Sequence, residues 1–354
     1  MEKNVLVAPL NWGLGHATRC IPIIRALVQN QYTPILASDG EALALLRKEF
    51  PTLKTLELPS YEIEYPKDGQ DFKWKMLRHL PKMYEAILEE KKIVKQWVKE
   101  HNLVGIISDN RLGVYHKKVQ SVFITHQLNV LSGNTTWFSS QLHQRIIKKF
   151  DECWVPDLEE KPNLSGKLGH LKKSQPHIKY LGPLSRLEQK EVPPQYDLMV
   201  ILSGPEPQRS MFEHRLRDQI DTFQGKVIFV CGKMALQQSK IQIEHVTFYN
   251  FMTSEQLEQA YNQSKIVLCR SGYTTIMDLV KLRKKAFLIP TPGQFEQEYL
   301  AKRLKKHGVF PSCKQEDFSF DKLLELDLYQ KPTFLTEPIH WKQLFCLFER
   351  EGEL

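Results

Sequence analysis

The feature that most constrains the fold is a rhythm. Short apolar runs alternate with stretches of helical spacing along nearly the whole chain. "NVLVAP" (4–9), "TPILAS", "KTLELP", "LVGIISDN", "SVFITHQL", "ECWVP" and "IKYLGPL" read as strands in the first half. "DLMVILSG", "KVIFVCG", "VTFYNF", "KIVLCRSG" and "AFLIPTP" read as strands in the second. Between most of them lie helical patterns, among them 17–29, "EALALLRKEF", a long segment at 72–100, 138–150, "MFEHRLRDQIDTF", "SEQLEQAYNQS", "TTIMDLVKLR" and "EQEYLAKRLKKH". Continuous apolar strands joined through helices imply α/β architecture, with parallel sheets covered on both faces.

At 354 residues the chain is long for one core and comfortable for two. The polar, diproline segment "SRLEQKEVPPQYD" divides it nearly in half. The spacing predicts a first Rossmann-like domain at 1–185, a linker at 186–195 and a second domain at 196–335. A final amphipathic helix at 336–354 is expected to return to the first domain. In two doubly wound sheets facing a cleft, ligands sit at the carboxyl ends of the strands.

The six cysteines are scattered without a C-x-x-C pair, the pattern of reduced thiols in a cytoplasmic protein. No signal peptide or membrane-spanning run is visible. The histidines form no H-E-x-x-H or ligand ladder, and there is no D-x-D motif, so neither a metal nor another cofactor is expected. A net charge of +8 suits anionic ligands, an anionic membrane surface or nucleic acid, or is simply a solvated surface. No nucleic-acid module accompanies it, so no nucleic-acid partner is expected. The segment 72–100 joins many lysines to Trp74, Met76, Leu77, Leu80, Met83, Ile87, Leu88 and Trp97. That mixture can rest on a bilayer, although a packed amphipathic helix is the commoner cause.

The most informative stretch is "VLCRSGYTTIMDLVKLRKKAFLIPTPGQFEQEYLA". A strand ends at Arg270-Ser271-Gly272, and a helix starts near Thr274, with Ser271 or Thr274 able to cap it. The helix N-terminus is an anion site. Asp278, early on that helix, can accept both hydroxyls of a ribose. Gln294, Glu296 and Gln297 after the next strand suit sugar hydroxyls. Each element alone reads as a cap, a solvated acid or a polar turn; the ordered set does not.

This set resembles the donor-binding signature of GT-B glycosyltransferases, in particular the family-28 group that contains the peptidoglycan enzyme adding N-acetylglucosamine to lipid I. The resemblance covers thirty-odd residues. It implies the GT-B fold, a nucleotide-sugar donor, UDP-linked, and an acceptor that is a glycan, a lipid-linked molecule or a small molecule. It implies that Ser271 and Gly272 approach the diphosphate, Asp278 holds the ribose, Glu296 and Gln297 hold the donor sugar, and the loop with Phe251 and Met252 frames the base. Glu296 stands where family members often carry aspartate or histidine before the glutamine, which leaves the donor sugar open. The turn "ILSGPEPQRS" takes the place of a second phosphate contact. Gly204 permits close approach, Pro205 and Pro207 remove donors, and Arg209 can compensate by charge. A rigid turn is an equal reading there.

The loop "NWGLGH" follows the first strand. Thr18 stands where a dinucleotide fingerprint needs its third glycine, and there is no Walker lysine. The family's corresponding loop also ends in glycine-histidine. Gly13 and Gly15 let the backbone pass near an acceptor. His16 is then the general base, kept neutral by the helix N-terminus. Some GT-B enzymes pair this histidine with an aspartate from a later strand, and Asp109 is the candidate. Arg111, His126 and Gln127, also at strand ends, are acceptor-side candidates. His126 is a rival base, and Arg111 is alternatively a structural partner of Asp109. The expected activity is inverting, metal-independent hexosyl transfer, with Arg270 and helix N-termini stabilising the leaving nucleotide. An epimerase or hydrolase on the same fold, or a basic nucleic-acid-binding protein, are the alternatives.

Overall fold

The structure is a computed structural model. It describes residues 2–61, 72–130, 136–173, 175–233, 235–334 and 337–349, without the side chains of 72–80 and 136–139. The chain forms two compact units, each with its own sheet.

The first unit opens with β1 (Asn4–Pro9), α1 (Gly15–Gln29), β2 (Thr33–Ser38), α2 (Gly40–Glu49) and β3 (Thr55–Glu57). It continues with α3 (Phe72–Glu100), β4 (Leu103–Asp109), β5 (Gln120–Ile124), α4 (Thr136–Ile147), β6 (Glu152–Val155) and β7 (Ile178–Tyr180). All seven strands run parallel, in the order β3-β2-β1-β4-β5-β6-β7. The winding reverses between β1 and β4, so the loops after these two strands diverge from one point of the sheet edge. The apolar runs are buried on both faces. Leu6, Ala8, Ile106 and Val94 of α3 form one cluster, and Phe123, Cys153, Val155 and Ile147 of α4 form another. The long basic helix is thus a packed amphipathic helix from Met83 onward. Val94 is buried in the core with Trp97 and Val98 packed against it, and Tyr84 and Leu88 face out. The membrane-facing expectation for Trp74, Met76, Leu77 and Leu80 concerns side chains outside those described.

The second unit follows with β8 (Tyr196–Ile201), α5 (Gln208–Arg217), β9 (Val227–Val230), β10 (Lys240–Ile243), β11 (Val246–Tyr249) and α6 (Ser254–Asn262). It closes with β12 (Ser264–Cys269), α7 (Tyr273–Lys281), β13 (Lys285–Leu288) and α8 (Phe295–Lys306). Its order is β10-β11-β9-β8-β12-β13, parallel except for β10, and the winding reverses between β8 and β12. Strand β10 does not stand out in the sequence: it is only four residues long and all four are exposed, Ile241 and Ile243 included. A capping box at Thr253 and Gln256 starts α6.

Two segments at the domain boundaries are held in place. The polar segment at 186–195 is not a free tether. Asn262 donates to Glu188 O at 2.9 Å and accepts from Lys190 N–H at 2.9 Å, which fastens the segment to α6 of the second unit. The C-terminal helix is short. Helix α9 (Trp341–Phe345) is followed by a 3-10 stretch to Glu349. It belongs to the first unit, where Phe345 and Phe348 pack beside Tyr32 and Trp154. Gly105 makes room for it, since a Cβ there would lie 2.5 Å from the Phe348 ring.

Candidate active site

In the first unit the loop after β1 delivers His16 one residue inside α1, and β4 ends at Asp109. Strand alternation puts Asp109 on the same face as Gly105 and Ile107. Asn110, in the left-handed region at φ 58°, turns the chain away directly afterwards. The two loops of the switch point therefore meet, and His16 Nδ1 lies 2.8 Å from Asp109 Oδ1. The His16 side chain keeps 13% exposure while that of Asp109 has none.

Asp109 has a stronger partner that the sequence pattern did not single out. Arg19, one turn after His16 and 2% exposed, donates from Nε to Asp109 Oδ2 at 2.5 Å and from its NH2 nitrogen to Oδ1. The same guanidinium reaches His16 Nδ1 at 2.9 Å and His126 Nδ1 at 2.9 Å. Cys20 Sγ, 3.6 Å from Oδ2, completes the cluster. Burial alone would raise the Asp109 carboxyl, but Arg19 and His16 outweigh it and hold it well below the usual carboxylate range. His16 is lowered from its ordinary value. Burial is the largest cause, Asp109 opposes it, and Arg19 adds to it. His126 is buried at the next strand end, and Gln127 is half-buried beside it. His143 of α4, also absent from the sequence-based candidates, bonds to the Gln127 backbone, and burial lowers its imidazole to about 4. An arginine one turn after a histidine in an apolar helix was the available signal for Arg19.

The acceptor role expected of Arg111 does not survive. Arg111 has no exposure and is paired with Asp39 and with Glu90, the latter at 2.8 Å. It also donates to the carbonyls of Pro9 and Pro59. It does not partner Asp109 either. Its work is on the loop: Asp39, held by Arg111, accepts from Asn11 Nδ2 at 3.1 Å, and Asn11 Oδ1 accepts from Ala42 N–H at 3.2 Å. A buried charged spine thus fixes the first residue of "NWGLGH". Gly13 sits at φ 72°, and no atom lies within 4 Å of where a Cβ would stand, so the loop stays open there. Gly15 begins α1.

In the second unit the loops after β8 and β12 flank the switch point. Helix α7 takes Gly272 as its N-cap, in place of the expected Ser271 or Thr274, so the cap residue itself has no side chain to bond the first turn. The Ser271 hydroxyl is buried and donates to Gln297 O at 2.9 Å, while the Cβ side of Gly272 is open. Gly204, at φ 103°, has Thr291 Oγ1 as its nearest neighbour on that side, at 3.7 Å. Asp278 lies in the second turn of α7 and accepts from Ser185 Oγ at 2.5 Å. Burial raises it to about 6, against the Ser185 hydroxyl and the charge of Arg186. Phe251 is buried and Met252 half-buried at the end of β11.

Two arginines expected to meet the donor are corrected. Arg270 is 1% exposed and donates to Gln208 O at 3.0 Å, Gln315 Oε1 at 2.7 Å and the carbonyls of Ile289 and Pro290. It lies over the Phe212 ring at 4.2 Å, and burial lowers it to about 9. It ties three loops together, with both terminal nitrogens committed to internal acceptors. Arg209 is 4% exposed and held by Glu206 and Glu213, the latter shared with Arg217 and Lys233, so its guanidinium is committed to internal partners. Gln297 is also committed: its Oε1 accepts from Thr291 N–H at 2.9 Å and its Nε2 donates to Gln294 Oε1 at 2.5 Å. These bonds shape the turn that carries Gln294 and the half-buried Glu296. Among the described residues, Thr291 Oγ1, Gln208 Oε1 and Arg270 Nε are buried without a partner. All three belong to the loops around Gly204 and Arg270, where polar groups of a ligand or water would satisfy neighbours.

Comparison with known proteins agrees with this construction. The family model for the glycosyltransferase family 28 C-terminal domain matches residues 208–340. A UDP-N-acetylglucosamine--N-acetylmuramyl-(pentapeptide) pyrophosphoryl-undecaprenol N-acetylglucosamine transferase of Clostridium tetani is 24% identical over 338 residues, 90% of this chain and 87% of its own. The crystal structure of Acinetobacter baumannii MurG is similar at a TM-score of 0.57 and 12% identity, over 98% of this chain and 99% of that one. The glycotransferase of kitacinnamycin reaches 0.62 at 12% identity, over 99% and 95%. Two doubly wound units with the signature loops at their switch points, matched along their length by these folds, make the chain a family-28-like glycosyltransferase of the GT-B fold.

Proposed function

We propose that the chain transfers a hexosyl group from a UDP-linked nucleotide sugar to an acceptor hydroxyl, with inversion and without a bound metal. The observation that carries the reading is the pairing of His16 with Asp109 at the switch point of the first sheet. With Nδ1 held by the carboxylate, Nε2 of a neutral imidazole takes the acceptor's hydroxyl proton. The oxygen's electron pair attacks the anomeric carbon. The bond from that carbon to the diphosphate breaks, and the nucleoside diphosphate leaves with the electrons. The lowered pKa of His16 keeps the base unprotonated before the reaction.

On the donor side, the uncapped start of α7 and the glycines Gly272 and Gly204 receive the diphosphate. Asp278 accepts the ribose hydroxyls, and Gln294 and Glu296 meet the sugar. The acceptor class follows the relatives. The Clostridium tetani transferase is named for a lipid-linked one and the kitacinnamycin enzyme for a small molecule. Among the described residues no helix is long and apolar enough to cross a membrane. A lipid-linked acceptor would be met at the bilayer surface, and the outer face of α3, with Tyr84 and Leu88 exposed among lysines, is the segment suited to that contact. None of the six cysteines is in a disulfide, in keeping with a reducing, cytoplasmic setting.

A thermal-shift series with nucleoside diphosphates and nucleotide sugars tests the donor. A ligand at a hundred times its Kd adds about 2.7 kcal/mol of stability, and Asp278→Ala should remove the response. Failure of every uridine ligand to shift the wild type overturns the donor assignment. Release of free sugar or an epimer from donor alone, with no acceptor ever glycosylated, would favour a hydrolase or epimerase.

A further inference from the structure

Two imidazoles share one guanidinium in the first unit, and the guanidinium can only donate. Arg19 carries N–H groups and no acceptor, and it stays protonated at any working pH. Its NH1 nitrogen is 2.9 Å from His126 Nδ1, so that nitrogen must accept. The single proton of a neutral His126 then sits on Nε2. To act as a base, His126 would have to take a second proton on the nitrogen that faces a fixed cation. His16 stands differently. Its Nδ1 has Asp109 Oδ1 at 2.8 Å and Arg19 at 2.9 Å, and the two make opposite demands. Arg19 gives its Nε–H and one of the two N–H groups of NH2 to the carboxylate oxygens, so the carboxylate stays fixed beside His16 Nδ1 while the second N–H of NH2 competes for the same nitrogen. An unprotonated Nδ1 would set a lone pair against a buried carboxylate, whereas a protonated one makes a charge-assisted bond to it.

Given His16 as the base, we infer that Arg19 is a positioning residue that fixes opposite tautomers on its two histidines. His16 is protonated at Nδ1, with Nε2 as the proton acceptor; His126 is protonated at Nε2, with Nδ1 accepting from Arg19. The arrangement settles which of two neighbouring imidazoles serves as base. It also adjusts that base. In a triad the carboxylate's full charge favours the imidazolium; here Arg19 neutralises most of it. The groups acting on His16 are Asp109 of β4, Arg19 of α1 and His126 after β5, with Cys20 behind Asp109 and His143 of α4 beyond His126. Asp109 alone among them favours the imidazolium.

Nitrogen and carbon NMR of the full-length protein labelled at histidine tests the tautomers directly, with His16→Gln and His126→Gln used separately to assign the signals. The expected spectrum at neutral pH shows an Nδ1–H tautomer for His16 and an Nε2–H tautomer for His126. The same tautomer on both, or the reverse pair, overturns the inference. The chain has twelve histidines, so each of the two signals is identified by its loss in the matching variant, and His16→Asn and His126→Asn replace any glutamine variant that does not fold. In kinetics, Arg19→Met should lower kcat by about 10²-fold and move the acid limb of kcat to higher pH, because the charge opposing the imidazolium is gone. Arg19→Lys keeps the charge and should leave the limb near its wild-type position. A folded Arg19→Met protein with an unmoved limb overturns the positioning role. A His16→Ala protein that transfers at the wild-type rate would refute His16 as the base while leaving the spectrum, and hence the tautomers, to be judged separately.

Discussion

The two sheets reverse their winding in the same way, yet the loops at the two reversals are built from different chemistry. At the first, charged and titratable groups converge: a fully buried carboxylate, a buried guanidinium, two imidazoles and a thiol. At the second, the charges are turned away. Arg209 is buried in an ion-pair cluster with Glu206, Glu213, Arg217 and Lys233, and Arg270 is held by carbonyls and Gln315. What the second unit leaves at its strand ends is glycine, backbone and an uncapped helix start, with Asp278 set one turn deeper. The difference matches the proposed division of work. A base needs fixed charges nearby to set its proton affinity. A site for phosphates works best with oriented N–H groups and no competing carboxylate at the opening.

The largest test of this contrast is His16→Ala. It should lower kcat by about 10²–10⁴-fold and leave the nucleotide-induced rise in Tm intact. Loss of both would mean that the two reversals do not divide the work. Next is Arg270→Met, which should cost about 3 kcal/mol of stability by leaving several buried carbonyls without donors, and should shift Tm more than it shifts nucleotide affinity per folded molecule. A large loss of affinity in a stable protein would return Arg270 to the leaving group.

Acidification should separate the two sites. His16 must be neutral to act, and its pKa is lowered from 6.5, so kcat at saturating donor should hold below that pH and fall only as the pH passes the lowered value. Asp278 must be ionised to accept hydroxyls, and its pKa is raised to about 6, so donor affinity should weaken as the pH falls through about 6. The same raised value has a stability sign. An acid raised by folding supports the fold at low pH, and that support is lost as the pH rises through about 6. Asp278→Asn should therefore stabilise the fold at neutral pH, by on the order of 1 kcal/mol and with a higher Tm, while weakening donor binding. The smallest effect concerns neither site. Gly105→Ala pushes a methyl against Phe348 and should cost about 1–3 kcal/mol, with the pH profiles unchanged.

Much of this was legible in the sequence. The alternation of apolar runs marks the strands of both sheets apart from β10, a four-residue edge strand whose Ile241 and Ile243 stay exposed and so build no buried run. The His16 loop and the Arg-Ser-Gly loop were legible because glycine, histidine and a helix start are local features. The fate of the arginines was not. Arg111 and Arg270 stand at strand ends and Arg209 opens a helix, places where a cation usually meets a ligand, yet all three are buried on internal partners.

The sequence by itself determined two parallel sheets and which loops lie at their carboxyl ends, because side-chain periodicity and turn chemistry act over a few residues. Only the tertiary structure decided which charges face a ligand and which cancel. Arg19 finds Asp109 across 90 residues, Arg111 finds Asp39 across 72, and Arg270 finds Gln315 across 45. No local pattern encodes such pairs. Burying a charge is costly unless a partner arrives from another element, and that arrival is a property of the packed sheet and its helices.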